Sequence, residues 1–390
     1  MTLRFLTAGE SHGPTLTTIL DGMPAGLRLD MDAINADLAR RQSGAGAGPR
    51  MKMECDKAVI TGGVMSGVTT GAPISIIIEN RDHARWKGKE IDPFTIPRPG
   101  HADLTGVLKY GYGDLRPALE RASARETAAR VAMGAICRQL LAQFGIRVGG
   151  YVLSIGEIEA CLESIPLEER FIRARESEVN CPDAQASQAM QARIREIISG
   201  KDTLGGTIEA AAVGLPAGLG SFTQWDRRLD SRIGAAVLSI QAVKGVEIGP
   251  AFENSRLPGT AVQDDILVEG ENLSRPSNRA GGIEGGISNG QPVIVRAAMK
   301  PIATTLSSRQ SVDLADGIPV ETKYERSDFC PVPRAVVVVE AMLAFTLADA
   351  LLEKLGGDSL EEIQPRFDTL KKMRLSDFRL ESSPHIWWPE

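Results

Sequence analysis

Short apolar or alternating runs bounded by glycine and proline recur at residues 15–20, 74–78, 207–213 and 292–298. That pattern predicts four strands. Longer stretches at 117–144 and 333–355 are rich in alanine and leucine and begin with proline, which predicts two long helices. Val336-Val337-Val338-Val339 reads locally as strand. It runs on into Glu340-Ala341-Met342-Leu343-Ala344-Phe345, however, and the combined length favours one helix from about Pro333.

The pattern repeats. Residues 15–27 (TLTTILDGMPAGL) align with 207–219 (TIEAAAVGLPAGL), and 62–74 (GGVMSGVTTGAPI) align with 281–293 (GGIEGGISNGQPV). The order is kept, and in each half the two blocks are followed by one of the long helices, so the chain reads as a duplicated half. The expected fold class is α+β. It is a β-α-β sandwich with internal pseudo-two-fold duplication and a helical layer between two antiparallel sheets. Residues 1–364 then form one domain built from two similar halves, and 365–390 a C-terminal tail. The polar, Glu- and Arg-rich stretch 158–201 reads as a helical surface excursion. Trp387-Trp388-Pro389-Glu390 reads either as a contact with another subunit or part of the fold, or as disorder.

Composition narrows the class. Hydrophobic content of 43% and charged content of 24% are ordinary for a soluble globular chain. No apolar run approaches the roughly 20 residues needed to cross a bilayer. The opening Met-Thr-Leu-Arg-Phe-Leu lacks a signal peptide's apolar region. The expectation is a cytoplasmic protein with no membrane contact. Five scattered cysteines without a Cys-x-x-Cys read as reduced thiols and offer no metal site. A net charge of −6 argues against nucleic-acid binding. Yet arginines cluster: Arg40, Arg41 and Arg50 with Lys52; then Arg116, Arg121, Arg125 and Arg130; then Arg326 and Arg334. Local cations in an acidic protein suggest a pocket for a small polyanion.

Two of the four histidines sit in loops of small, turn-forming residues, Gly9-Glu10-Ser11-His12-Gly13 and Arg98-Pro99-Gly100-His101-Ala102-Asp103. Imidazole in such a setting suits proton transfer near neutral pH. In the helix opening Arg116-Pro117, Arg121 and Arg125 are four apart and are expected to share one face. Buried against alanines, that face needs a neutralising anion. Glu126 and Arg130 already make a pair, and Glu120 suits Arg116. The glycine-rich basic stretch 40–50 matches neither a Rossmann nor a Walker pattern and reads as a mobile lid or a plain linker.

Taken together, the two histidine loops, Arg121-Ala122-Ser123-Ala124-Arg125-Glu126-Thr127, the glycine-rich 281–290 segment, Met299-Lys300-Pro301-Ile302 and Glu325-Arg326-Ser327-Asp328 resemble the chorismate synthase family. The resemblance runs in order from about Leu3 to Leu355. It implies conversion of 5-enolpyruvylshikimate 3-phosphate to chorismate by anti 1,4-elimination of phosphate, with reduced FMN required and no net redox change. It also implies a homotetramer acting on a small phosphorylated substrate in aromatic amino acid biosynthesis.

The resemblance assigns roles residue by residue. His12 protonates the departing phosphate, His101 balances the reduced flavin, and Asp328 helps the flavin accept the ring proton. FMN contacts fall on Arg121, Ala122, Ser123, Gln241, Ala242, Gly285, Lys300, Pro301, Ile302, Ala303, Thr304 and Arg326. Substrate contacts fall on Ser11, Arg50 and Arg125. Arg41 matches an NADPH position of members that reduce their own flavin. Ala45 and Ala47 stand where the family often has tyrosine and arginine, so NADPH and a separate flavin reductase both stay open. Gly285 also suits a plain turn, Gln241 a helix-end hydrogen bond, and Asp328 a helix cap. Two other readings compete with the lyase: a flavin oxidoreductase with net hydride transfer, and a non-catalytic anion-binding protein.

Overall fold

The computed structural model describes residues 2–47, 55–322 and 327–388. A four-stranded antiparallel sheet has the order Arg4–Ala8, Thr15–Asp21, Ile74–Glu79, Ala58–Gly62. A five-stranded one has the order Val243–Ile248, Val293–Met299, Gly206–Val213, Arg147–Ile155, Ile158–Glu159. With the two-residue Ile158–Glu159 strand set aside and the second sheet read from Arg147–Ile155, the strands of both sheets, numbered along the chain, stand first, second, fourth, third. The duplication read from sequence is therefore also a duplication of topology.

It reaches single hydrogen bonds. Gly26 N–H donates to the Thr69 carbonyl at 2.9 Å, and the corresponding Gly218 donates to Ser288 at 2.8 Å. The Thr69 hydroxyl donates to Pro24 O and accepts from Leu27 N–H; the Ser288 hydroxyl does the same with Pro216 and Leu219. Gly63 and Gly282 hold matching backbone angles, φ 79° and 80°. A Cβ at either would strike the carbonyl of Pro73 or Pro292, so both turns require glycine.

Between the sheets lie the helices Met31–Gln42, Thr127–Gln143, Leu229–Leu238 and Val332–Leu355. The Thr127–Gln143 helix packs on the four-stranded sheet, the Val332–Leu355 helix on the five-stranded one, and the two pack on each other. Gly134 lets them approach, since a Cβ there would collide with Ala341. Contrary to the sequence expectation, the Val332–Leu355 helix is long and apolar enough to cross a membrane, but 89% of its apolar window is buried inside the fold. Its Glu340 is buried and accepts from Arg40 at 2.7 and 2.9 Å and from Arg138 at 2.9 Å, so the charge is paired within the helical layer.

The excursion after Ile158–Glu159 forms the helices Leu167–Glu176 and Ala184–Ser199. The first covers the outer face of the five-stranded sheet, where Phe171 and buried Tyr151 pack together. The final helix, Leu360–Asp368, runs through Pro365. Beyond it Trp387 and Trp388 are 74% and 89% exposed.

Candidate active site

The His12 loop connects the first two strands and is held from three directions. Asn80, just past the Ile74–Glu79 strand, donates its side-chain amide to the carbonyls of Glu10 (3.1 Å) and Gly13 (2.8 Å). Ser11 N–H reaches the Glu120 carbonyl at 3.2 Å, and the Ser123 hydroxyl donates to that of Ser11 at 3.2 Å. Glu120 grips His12 itself: Nδ1 lies 2.7 Å from Oε1, and the His12 backbone N–H donates to Oε2 at 2.7 Å. Trp86 packs on the imidazole with ring centres 4.4 Å apart, and Asp82 Oδ2 is 3.9 Å from Nε2.

A carboxylate at Nδ1 favours the ring proton on that nitrogen and turns Nε2 away from Glu120. Burial alone raises the Glu120 carboxyl, but the bonds from His12 and the nearby Arg116 overcome it and hold it below its ordinary value. Glu120 thus serves His12 before Arg116, unlike the sequence reading.

The arginine stretch breaks where one helix was expected. The helix Arg116–Ala122 ends at Ser123, whose backbone is extended (ψ 139°) and whose hydroxyl accepts from Arg125 N–H to start the next turn. Arg121 and Arg125 therefore do not share a helical face. Arg121 is exposed and donates to the carbonyl and hydroxyl of Thr7 at 3.0 and 2.9 Å. Arg125 turns inward, 4% exposed, donating to Asn80 Oδ1 at 2.8 Å and Asp56 Oδ2 at 2.7 Å. Arg41 shares Asp56 at 3.3 Å and also donates to Thr127 Oγ1 and the Ala124 carbonyl. The anion that sequence demanded for Arg125 is thus supplied within the chain by Asp56. Arg40 and Arg41 end the Met31–Gln42 helix, so they are not in a loop. Within the 40–50 stretch, Gly46 instead docks, accepting from Phe329 N–H at 3.0 Å.

The His101 loop docks on the segment from Lys300 to Thr304. Lys300 Nζ donates to the Gly100 carbonyl at 2.9 Å, Ala303 lies against Gly100, and His101 Nε2 is 2.8 Å from Thr304 Oγ1. Arg98 and Asp103 pair bidentately at 2.7 and 2.9 Å beneath the loop. Burial, reinforced by Arg98 and Lys300 and opposed by Asp103, pushes the His101 imidazole down to about 4. The ring is neutral at pH 7.

The Ser327 hydroxyl donates to the Thr304 carbonyl at 2.9 Å, which brings Asp328 alongside. Asp328 pairs with Arg334 at the start of the Val332–Leu355 helix. Burial and then the neighbouring Arg41 bring the Arg334 guanidinium down to about 9.

Ala242 lies beneath the Lys300–Thr304 segment at φ 67°, its carbonyl accepting from Lys300 N–H at 3.0 Å. Pro301 and Ile302 follow, with the Ile302 carbonyl accepting from Thr203 at 2.7 Å. Gln241 donates to Glu126 at 3.2 Å, and Glu126 also accepts from Thr7 and Arg130. The Gln241 Oε1 atom is buried and has no hydrogen-bond partner among the described residues. Ala122 closes the Arg116 helix, and Gly285 turns the short hairpin at 283–288 with open space where a Cβ would stand. Ser66, its counterpart, takes φ 50° without being glycine. Arg50 and Arg326 lie outside the described residues.

The placed residues form two linked groups: His12, Ser11, Ser123 and Arg125 around Asn80 and Glu120, and His101, Lys300, Thr304 and Asp328 around the second segment. Arg41 ties them together, since it shares Asp56 with Arg125 and neighbours Arg334. Sequence reasoning missed Glu120 as the histidine's partner, along with Asp56, Asn80, Asp82 and Trp86. One local signal was present: Asn80-Arg81-Asp82-His83 is a polar run directly after an apolar strand, where a sheet rim presents side chains.

The chorismate synthase family model matches residues 3–352. A chorismate synthase of Desulforudis audaxviator is 53% identical over 371 residues, covering 93% of this chain and 95% of that protein. One of Chlorobaculum tepidum is 49% identical over 387 residues, covering 95% and 98%. A crystal structure of chorismate synthase superposes with TM-score 0.78 at 44% identity, covering 94% of this chain and 97% of that one.

Proposed function

The chain belongs to the chorismate synthase family, whose members are chorismate-forming lyases of the shikimate pathway, and from that premise we propose its chemistry in detail. It converts 5-enolpyruvylshikimate 3-phosphate to chorismate and phosphate by anti 1,4-elimination and requires reduced FMN. The carrying observation is the two-point grip of Glu120 on His12. A ring so held delivers a proton from Nε2 to the phosphate oxygen as the C–O bond breaks. Phosphate, with a second pKa near ~6, is a well-matched acceptor for imidazole. The leaving group departs protonated; the C–H electron pair forms one ring double bond while the existing one shifts to the carbon that loses phosphate, and the ring proton leaves on the side of Asp328.

The residues present suit a flavin. Gln241 offers a buried, unpartnered acceptor for a ring N–H, Arg121 and Lys300 supply cationic donors, and Ala122, Ser123, Ala242 and the Pro301–Thr304 segment supply close backbone. Reduced FMN, when bound, supplies an electron-rich ring beside the reacting carbons. His101 is neutral until an anion arrives, so it gains charge in step with binding. Asp328 helps the flavin take up the substrate's ring proton, and its pairing with Arg334 supports that role by fixing the carboxylate. Ser11 and Arg125, with Arg50, form the substrate side.

Burial of Arg41 against Asp56, Thr127 and Ala124 supports a separate flavin reductase over NADPH reduction through that residue. A homotetramer is supported by the bare outer face of the four-stranded sheet, where exposed Leu6 and Ile19 stand opposite each other and exposed Val59 lies on the same face two strands away. The test is anaerobic phosphate release with chemically reduced FMN, with and without NADPH. Phosphate released without a reductant equivalent consumed per turnover is expected. Stoichiometric consumption of reductant would move the protein to the oxidoreductases.

A further inference from the structure

The duplication exposes a difference between the two halves. In the first, the Pro24-Ala25-Gly26 turn is covered by the chain itself. Ala25 N–H donates to the Asp358 carbonyl and Leu360 N–H donates to the Ala25 carbonyl, both at 2.9 Å, so that residues 358–360 lie along the turn as an added strand. The surrounding hydrogen bonds recur in the second half around Pro216-Ala217-Gly218. These two do not: neither backbone polar group of Ala217 has a hydrogen-bond partner among the described residues.

In place of a covering strand there is a cleft of about 350 Å³, walled by Pro216, Ala217, Phe367, Leu370 and Met373. The Ser274 hydroxyl in its lining is buried and also lacks a partner among the described residues. The cleft therefore has an apolar wall, a free hydroxyl and an unused peptide edge. Those features suit an extended peptide carrying a large apolar side chain, by strand addition.

Such a segment begins at the cleft's own rim. The chain lines the cleft through Met373, which takes a left-handed backbone (φ 60°), and pairs with residues 271–273 before continuing as the tail. The tail then presents Ile386, Trp387 and Trp388, exposed at 85%, 74% and 89%. The chain between Met373 and Ile386 extends as far as ~45 Å, so these residues can return to their own root. Tethering keeps their effective concentration there high.

We propose that the cleft beside Ala217 is the docking site of the chain's own tail. A peptide unit near Trp387 or Trp388 takes the place at Ala217 that residues 358–360 take at Ala25, and one indole fills the space between Phe367, Leu370 and Met373. This inference is independent of the reaction proposed above.

Hydrogen exchange of the full-length protein tests it, followed by mass spectrometry on peptides covering Ala217. The expected result is at least 10-fold slower exchange there in the unmodified chain than in the Trp387→Ala/Trp388→Ala double variant. Both substituted side chains lie in solvent in the extended tail, so the fold survives the change. Equal exchange rates would overturn the proposal. In assemblies of heavy-labelled double variant with excess unmodified chain, the labelled cleft is expected to stay unprotected. Recovered protection would assign the occupant to a neighbouring copy and overturn the intrachain assignment.

Discussion

Glu120 holds His12 at two atoms, with Oε1 2.7 Å from Nδ1 and Oε2 2.7 Å from the backbone nitrogen. One carboxylate therefore sets both the path of the loop and the tilt of the ring. Glu120→Gln keeps the shape but removes the charge and one acceptor. Turnover is expected to fall by about 10- to 100-fold, below the full effect of losing an acid catalyst. KM should stay close to its original value. Steady-state kinetics with reduced flavin check this, and an unchanged kcat would place the proton donor elsewhere.

His101 gives a pH signature. Its imidazole is pushed from 6.5 to about 4 in the folded chain. The unfolded chain thus takes up a proton that the folded chain refuses across that interval. Stability rises with pH between about 4 and 6.5, and acidification through this window costs at most about 1.4 kcal/mol per pH unit from this group. Urea unfolding at pH 7 and pH 5 is expected to show the loss, with a shallower dependence in His101→Asn. The same slope in both proteins would assign it to other groups.

Arg125 and Asp56 are a buried pair with side chains 2% and 0% exposed. Removing only the guanidinium leaves a carboxylate paired, among the described residues, only with Arg41. Arg125→Ala should therefore lose about 3 kcal/mol of stability. Adding Asp56→Ala is expected to restore part of that loss. A double-mutant cycle with no coupling would contradict the ion pair.

Arg121 is held by a single nitrogen to Thr7, and the rest of its guanidinium is exposed. Arg121→Ala should weaken reduced FMN by about 10-fold, the worth of one charge-assisted hydrogen bond. Melting temperature without flavin should barely move. Anaerobic flavin titration decides the point, and unchanged affinity would relocate the cofactor phosphate and ring.

Gly134 sits where the two long helices meet face to face, against Ala341. Gly134→Ala forces a methyl into Ala341 and is expected to destabilise the chain by about 1–3 kcal/mol. Thermal unfolding should record it. Equal stability would mean that the helices separate readily.

Much of the scaffold was legible because its rules are local. Gly63 and Gly282 carry the same turn, and the apolar runs around 15–20 and 207–213 alternate or persist as strands do. The valines before Glu340 became helix because length and the following leucines outweighed their β preference. The site was less legible. Nothing near Arg125 indicates that Asp56 faces it, and nothing near His12 announces Glu120, more than a hundred residues away. Ser123 ended a run that composition alone would have continued, because its hydroxyl capped a new turn. The burial of the Val332–Leu355 helix depended on two sheets and a helical layer closing around it.

Extending the two registers of the repeat places Leu204, Met299 and Val339 where His12, Asn80 and Glu120 stand in the other half. All three are apolar and buried. Twofold architecture therefore does not bring twofold chemistry: a saturating titration should end at one equivalent of substrate and one of flavin for every polypeptide.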